Sequence, residues 1–232
     1  MSKVKKYIII VFIFIVIFLI GNYLYQKYTY TLEKVSFMLN SAELPSNIHT
    51  EHKSYHGDST EPIYYINTYK TDNLAYVLQE NDSQKIEQFY DYNLLKHIII
   101  LHNEKKIFSY PCEADEGSAI PFRETFFIAV EQHGLYEHRG NYKFHGIETI
   151  NGNKCIKVSL TDNYENEIDV NYFYIDLETN FIIKKESYSG KNKKELKRYY
   201  AETVEYNFNT VTDDQVLKFD INNYPDYEYI EY

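Results

Sequence analysis

The chain has 232 residues and a formal net charge of −10, with 34 acidic residues against 24 Lys and Arg. An acidic chain of this kind is a poor candidate for binding nucleic acid or a surface of anionic lipid headgroups through its overall charge. Tyr (26) and Phe (14) are abundant and Trp is absent; Tyr, Ile, Val and Thr favour half-buried pleated surfaces, so the composition leans towards β.

The first predicted element is a membrane anchor. Residues 1–6, Met-Ser-Lys-Val-Lys-Lys, form a basic cytoplasmic head, and Tyr7 to Ile20 are an unbroken apolar run. The membrane-compatible stretch continues to Tyr25, about 19 residues, which at about 1.5 Å each nearly spans a hydrocarbon core of about 30 Å. Lys3, Lys5 and Lys6 place the N-terminus in the cytoplasm and everything beyond the span outside. Tyr23, Tyr25 and Tyr28 fall at the outer interface, where amphipathic aromatics are stable. A cleaved signal peptide is the alternative. The exit Gly-Asn-Tyr-Leu-Tyr-Gln lacks a small-x-small cleavage pattern, and no Cys follows it to carry a lipid.

The outward part reads as one domain, residues 26–220, followed by an acidic Tyr-rich tail, 221–232. Leu32, Val35, Phe37, Met38 and Leu39 recur near a period of 3.6 and predict a helix within 30–43, with Pro45 just beyond it. The pattern then changes to period two. Strands are predicted at 61–70 and 74–80 across a Thr-Asp-Asn turn, at 84–92, and at 97–101 and 106–110 across His-Asn-Glu-Lys. A second helix is predicted over Pro121 to Gln132, with Phe122, Phe126, Phe127 and Val130 on one face and Gly134 as the cap. Strands at 142–150 and 154–160 flank Asn151-Gly-Asn, where Asn-Gly accepts positive φ. Further strands follow at 169–176, 181–188 and 197–208. The fold class is α+β: a single-pass N-terminal helix, then a mostly antiparallel sheet with two or three helices.

Two stretches resemble the LolA/LolB/RseB-like superfamily in its C-terminal half. They are Gly146-Ile-Glu-Thr-Ile-Asn-Gly-Asn-Lys-Cys-Ile-Lys-Val158 and Tyr174-Ile-Asp-Leu-Glu-Thr-Asn-Phe-Ile-Ile-Lys-Lys-Glu186. The segment from Ile98 to Pro111 resembles the central hairpin of that superfamily, and Val211 to Phe219 its closing segment. The resemblance implies a curved half-barrel closed by helices over an apolar cavity. Members of this shape carry the acyl chains of lipoproteins or sense envelope stress. This chain departs from them in having an anchor and no lipidated Cys, which leaves local binding, hand-over or sensing. The implied cavity lining is Phe126, Phe127 and Val130 on the helix, with Ile156, Val158, Phe173, Ile175 and Ile183 on the strands. The alternative is that these residues simply fill a closed core, the default for inward apolar positions.

Few residues point to chemistry. His49, His52 and His56 follow Pro45, and in a strand the first two face opposite ways, so they predict no metal site. No nucleophile elbow, phosphate loop or His-Glu-x-x-His occurs. Catalysis and cofactors are therefore not expected. Cys112 and Cys155 are the only cysteines. Outside the cytoplasm a disulfide between them is chemically allowed and would stabilise by about 3–4 kcal/mol; two separate buried thiols are the alternative. The expected partners are the membrane, a lipid or lipoprotein ligand held without catalysis, or an envelope protein docked on a sheet edge or the tyrosine-rich surface.

Overall fold

The computed structural model describes residues 3–43, 45–112, 141–163 and 167–232. The predicted helix at 121–132 lies outside them. Helix α1 (Lys3–Thr29) is followed after two residues by α2 (Leu32–Asn40). Residues 7–29 of α1 are long and apolar enough to cross a membrane, and none of that surface is buried in the protein. Thr31 caps α2, its Oγ1 accepting the N–H of Lys34, the contact expected of an N-cap threonine.

The strands are β1 (Ile48–His56), β2 (Tyr64–Lys70), β3 (Leu74–Asn81), β4 (Gln84–Asp91), β5 (Lys96–Leu101), β6 (Lys106–Pro111), β7 (Tyr142–Ile150), β8 (Asn153–Asn163), β9 (Ile168–Asp176), β10 (Ile182–Gly190), β11 (Lys197–Phe208) and β12 (Glu228–Glu231). They form one unclosed sheet in the order β12-β6-β5-β4-β3-β2-β1-β11-β10-β9-β8-β7. Two antiparallel meanders, β1 to β6 and β7 to β11, are thus fused by the β1–β11 ladder. β12 adds to β6 in parallel.

Turn chemistry sets the hairpins. Asn151 and Gly152 take φ of 50° and 90°, as the Asn-Gly signal requires. Asn81, Asp91 and Asp176 each accept backbone N–H groups two and three residues on, which closes the turns after β3, β4 and β9 as Asx-turns. Residues 49–56, open to a loop or strand reading, form β1. The register explains why: its partner strands β2 and β11 satisfy both of its backbone edges.

The two largest apolar clusters lie on different faces, one on each meander. Val204 pairs with His52, His52 with Ile66, and Ile66 with Gln79, so these four share one face. On that face α2 lays Leu32, Val35, Met38 and Leu39 over Phe144, Ile156, Val158, Leu160, Phe173, Ile175, Ile182 and Val204. The opposite face of the first meander carries Leu74, Tyr76, Phe89, Ile98, Ile100 and Ile107. Val211, Val216, Phe219, Tyr224 and Tyr227 of the closing segment cover it. Within residues 221–232, Tyr224 and Tyr227 pack against this core and β12 joins the sheet as an edge strand.

Ile156 is fully buried under α2. Ile156→Ala should cost about 2–5 kcal/mol through lost transfer energy and the cavity left behind. A lowered urea midpoint at unchanged slope is the expected result.

Candidate functional site

The structure brings together four of the predicted lining residues and separates a fifth. Ile156, Val158, Phe173 and Ile175 are fully buried and lie side by side, but α2 fills the space above them. Ile183 is on the other face with Cys155 and Tyr174. Ile182 is the residue paired with Ile175, and a bulge sets both Ile183 and Lys184 opposite Tyr174. Phe126, Phe127 and Val130 lie outside the described residues. Cys112 and Cys155 are buried as thiols in separate clusters, Cys112 beside Ala75, Val77, Tyr90 and Tyr92. Burial pushes the Cys155 thiol up to about 11.

Between the two apolar clusters of the α2 face runs a belt of half-buried polar groups around the buried Ser54. Glu202 Oε1 accepts from the Tyr200 hydroxyl at 2.6 Å and lies 3.6 Å from His52 Nε2; Lys185 Nζ is 4.0 Å from its other oxygen. Tyr200 also meets Ser54 Oγ at 3.1 Å. Burial opposes the ionisation of Glu202, but His52, Tyr200 and Lys185 outweigh it and hold the carboxyl below its usual range. Burial lowers Lys185 and, aided by Glu202, pushes Tyr200 up to about 12. The belt is nearly self-satisfied, so it fixes the β1–β11–β10 register rather than presenting open valences.

Among the described residues, His49, His97 and His145 are committed to local contacts. His49 stacks on Tyr69 and bonds Asn67 on the face away from His52. His97 stacks on Tyr90 at 4.0 Å. His145 Nε2 meets Ser159 Oγ at 2.8 Å, but Ser159 is buried and offers no exposed nucleophile. No group of three or more His, Cys, Asp or Glu able to hold a metal occurs among the described residues.

The opposite face of the first meander holds a buried carboxylate and an opening beside it. Glu87 accepts from Tyr76 at 2.8 Å, Tyr224 at 2.9 Å and His102 Nε2 at 2.8 Å, and His102 Nδ1 meets Tyr227 at 2.9 Å. Burial opposes the charge on Glu87, yet the bonds from Tyr76, His102 and Tyr224 lower its pKa overall. Two tyrosines of the closing segment are thereby tied to β4 and to the β5–β6 turn. On the same face the segment leaves a cleft of about 320 Å³, lined by Leu74, Phe89, Ile98, Leu217 and Phe219 with Asp91, Lys96 and Lys218. Leu94 and Leu217 line it while exposing 72% and 57% of their surface. A cleft of this size is at the lower end of the range of about 300–1,000 Å³ typical of small-molecule sites. It can hold an apolar chain, with amines close to the apolar lining. Sequence reasoning missed it because Leu217 and Phe219 meet Phe89 and Ile98 only through tertiary packing. Two exposed leucines, Leu94 and Leu217, beside Lys and Asp were the available signal.

No family model matches the chain, and no curated protein matches it. Solved structures do resemble it. One is an uncharacterised conserved protein from Thermus thermophilus, with 9% identity, 86% of this chain and 98% of that chain covered, and a TM-score of 0.44. Another is from Vibrio parahaemolyticus, described as the domain of a putative outer membrane lipoprotein-sorting protein, with 7% identity, 78% and 94% covered, and a TM-score of 0.25. Neither likeness is close enough to transfer a site, so function is argued from the residues of this chain.

Two outcomes follow from the buried groups. Glu87, Glu186 and Glu202 all have pKa values below the ordinary 4.5. In that window the unfolded chain binds more protons than the folded one. The stability they contribute is therefore complete above 4.5 and lost as pH falls through the folded values. Urea midpoints should drop in that acid range, and Glu87→Gln should shallow the drop. Thiol titration at pH 8 should find no fast-reacting cysteine in the folded protein and two after denaturation without reductant.

Proposed function

We propose that the chain is a membrane-tethered, outward-facing binding protein that holds the apolar chain of a lipid, lipoprotein or similar amphiphile without catalysis. The carrying observation is the open apolar cleft between β3–β5 and the closing segment. Leu94 and Leu217 leave apolar surface open beside the lining, which an apolar occupant would cover. Each methylene moved from water into such a site contributes about 0.8 kcal/mol. Lys96 and Lys218 supply amines beside the apolar lining for an anionic head. The apolar helix α1 supports the tether, and Lys3, Lys5 and Lys6 support a cytoplasmic N-terminus. The half-barrel architecture of the LolA/LolB/RseB-like superfamily fits this role, but with the cleft opposite the α2 face instead of beneath α2.

A second reading, docking of an envelope protein, is favoured by the β12 edge. Tyr110 and Tyr232 stack there at 4.9 Å, and Tyr232 is 69% exposed. An exposed aromatic pair on a sheet edge suits strand addition by a partner.

The full chain, purified in amphipol, should bind a fluorescent fatty acid. Leu217→Lys should weaken that binding about tenfold or more, because one apolar side chain in a pocket contributes about 1.5–3 kcal/mol. Its exposure makes the substitution tolerable to folding. Unchanged affinity would remove the cleft as the site, and loss of binding to a labelled envelope fraction on Tyr232→Ala would favour the docking reading.

A further inference from the structure

We infer that edge strand β7 rests in the headgroup layer of the outer leaflet beside the end of α1, holding the domain in a fixed orientation on the bilayer. The inference rests on the reading of α1 as a membrane span. Only Tyr30 and Thr31 separate α1 from α2, and both are engaged. Thr31 caps α2. The ring of Tyr30 stacks on Phe144 of β7 at 5.6 Å, and the Tyr142 hydroxyl donates to the Tyr30 carbonyl at 2.8 Å. There is no flexible stalk.

The contact also reaches down the helix. The ring of Tyr23 lies 6.4 Å from that of Phe144, and Tyr23 is six residues before the end of α1 at Thr29. At about 1.5 Å of rise per residue, β7 overlaps the last ~9 Å of the helix. The apolar run of the span gives way there to Gly21, Asn22, Tyr23 and Tyr25, the composition of an interfacial belt. A strand alongside Tyr23 must therefore occupy the headgroup region. β7 is the last strand of the sheet and pairs with β8 among the described residues. Its exposed residues Lys143, Ile147, Glu148 and Thr149 mix charge and apolar surface, and amphipathic Lys suits that layer. The occupant of this surface is the lipid–water interface of the bilayer that α1 crosses. In a chain of net charge −10 the contact comes from geometry and the polar–apolar mix, and does not require anionic lipid.

The chain has no Trp, so single-Trp variants report without background. Full-length Phe14→Trp, Lys143→Trp and Tyr232→Trp would be reconstituted in phosphatidylcholine vesicles with acyl chains brominated near the headgroup or near the tail. All three positions are exposed in the protein, and Tyr232 follows β12 at the opposite end of the sheet from β7. Phe14→Trp should be quenched by deep bromine, which tests the span itself. Lys143→Trp should be quenched by shallow bromine, with iodide quenching several-fold weaker than at Tyr232→Trp. Iodide quenching at 143 equal to that at 232, with 14 still deep, would overturn the resting strand and leave the span intact. A solvent-exposed Phe14→Trp would overturn both.

Discussion

The β1–β11 ladder is the interaction on which the domain depends. Nine residue pairs, Ile48 with Phe208 through His56 with Tyr200, join strands from opposite ends of the outward part. Each meander is held locally by tight turns, but neither continues into the other without this pairing. The ladder is non-local, so loop-closure entropy must be met before it forms, and folding should be slow for a domain of this size. At its centre His52 and Glu202 lie together, half-buried, with Lys185 from β10. Buried charges are expensive unless mutually satisfied. A one-residue slip of β1 would move His52 to the other face and leave Glu202 uncompensated. The belt thus stabilises one register more than it stabilises the fold as a whole.

Fusing two meanders creates a sheet whose two largest cores lie on opposite faces. The α2 face is filled over the second meander, where a short helix inserts four apolar side chains. The opposite face of the first meander is covered by an irregular segment instead. A helix packs continuous ridges into a sheet, whereas residues 211–227 touch it at Val211, Val216, Phe219, Tyr224 and Tyr227. The Glu87 network pins the Tyr224–Tyr227 end of this segment. The cleft opens beside Leu217 and Phe219, where cover is incomplete. The opening here therefore follows from how the sheet is covered, and the same network that closes the chain shapes it.

Most element positions were legible in the sequence because they depend on local chemistry. Asn151-Gly152, the Asp and Asn turn residues and the alternation in β8 mark strands without reference to the rest of the molecule. What was not legible depends on distant partners. Nothing near His52 announces Glu202. The alternating aromatic and acidic residues at 224–232 do not announce that Tyr224 and Tyr227 reach Glu87 and His102. Ile183 was read one position out of phase: Ile182 shares the buried face with Ile175, and the bulge turns Ile183 away. The apolar residues of β8 and β9 lie beneath α2, whose docking site has no local signature.

The proposed function rests on an apolar ligand occupying the cleft under the closing segment. Photolysis of the full chain with a diazirine-bearing fatty acid, followed by peptide mapping, tests it directly. Label on residues 89–98 and 217–219 is the predicted result, because these line the cleft. Label confined to β8 and β9 beneath α2, or absent from the domain altogether, would contradict it.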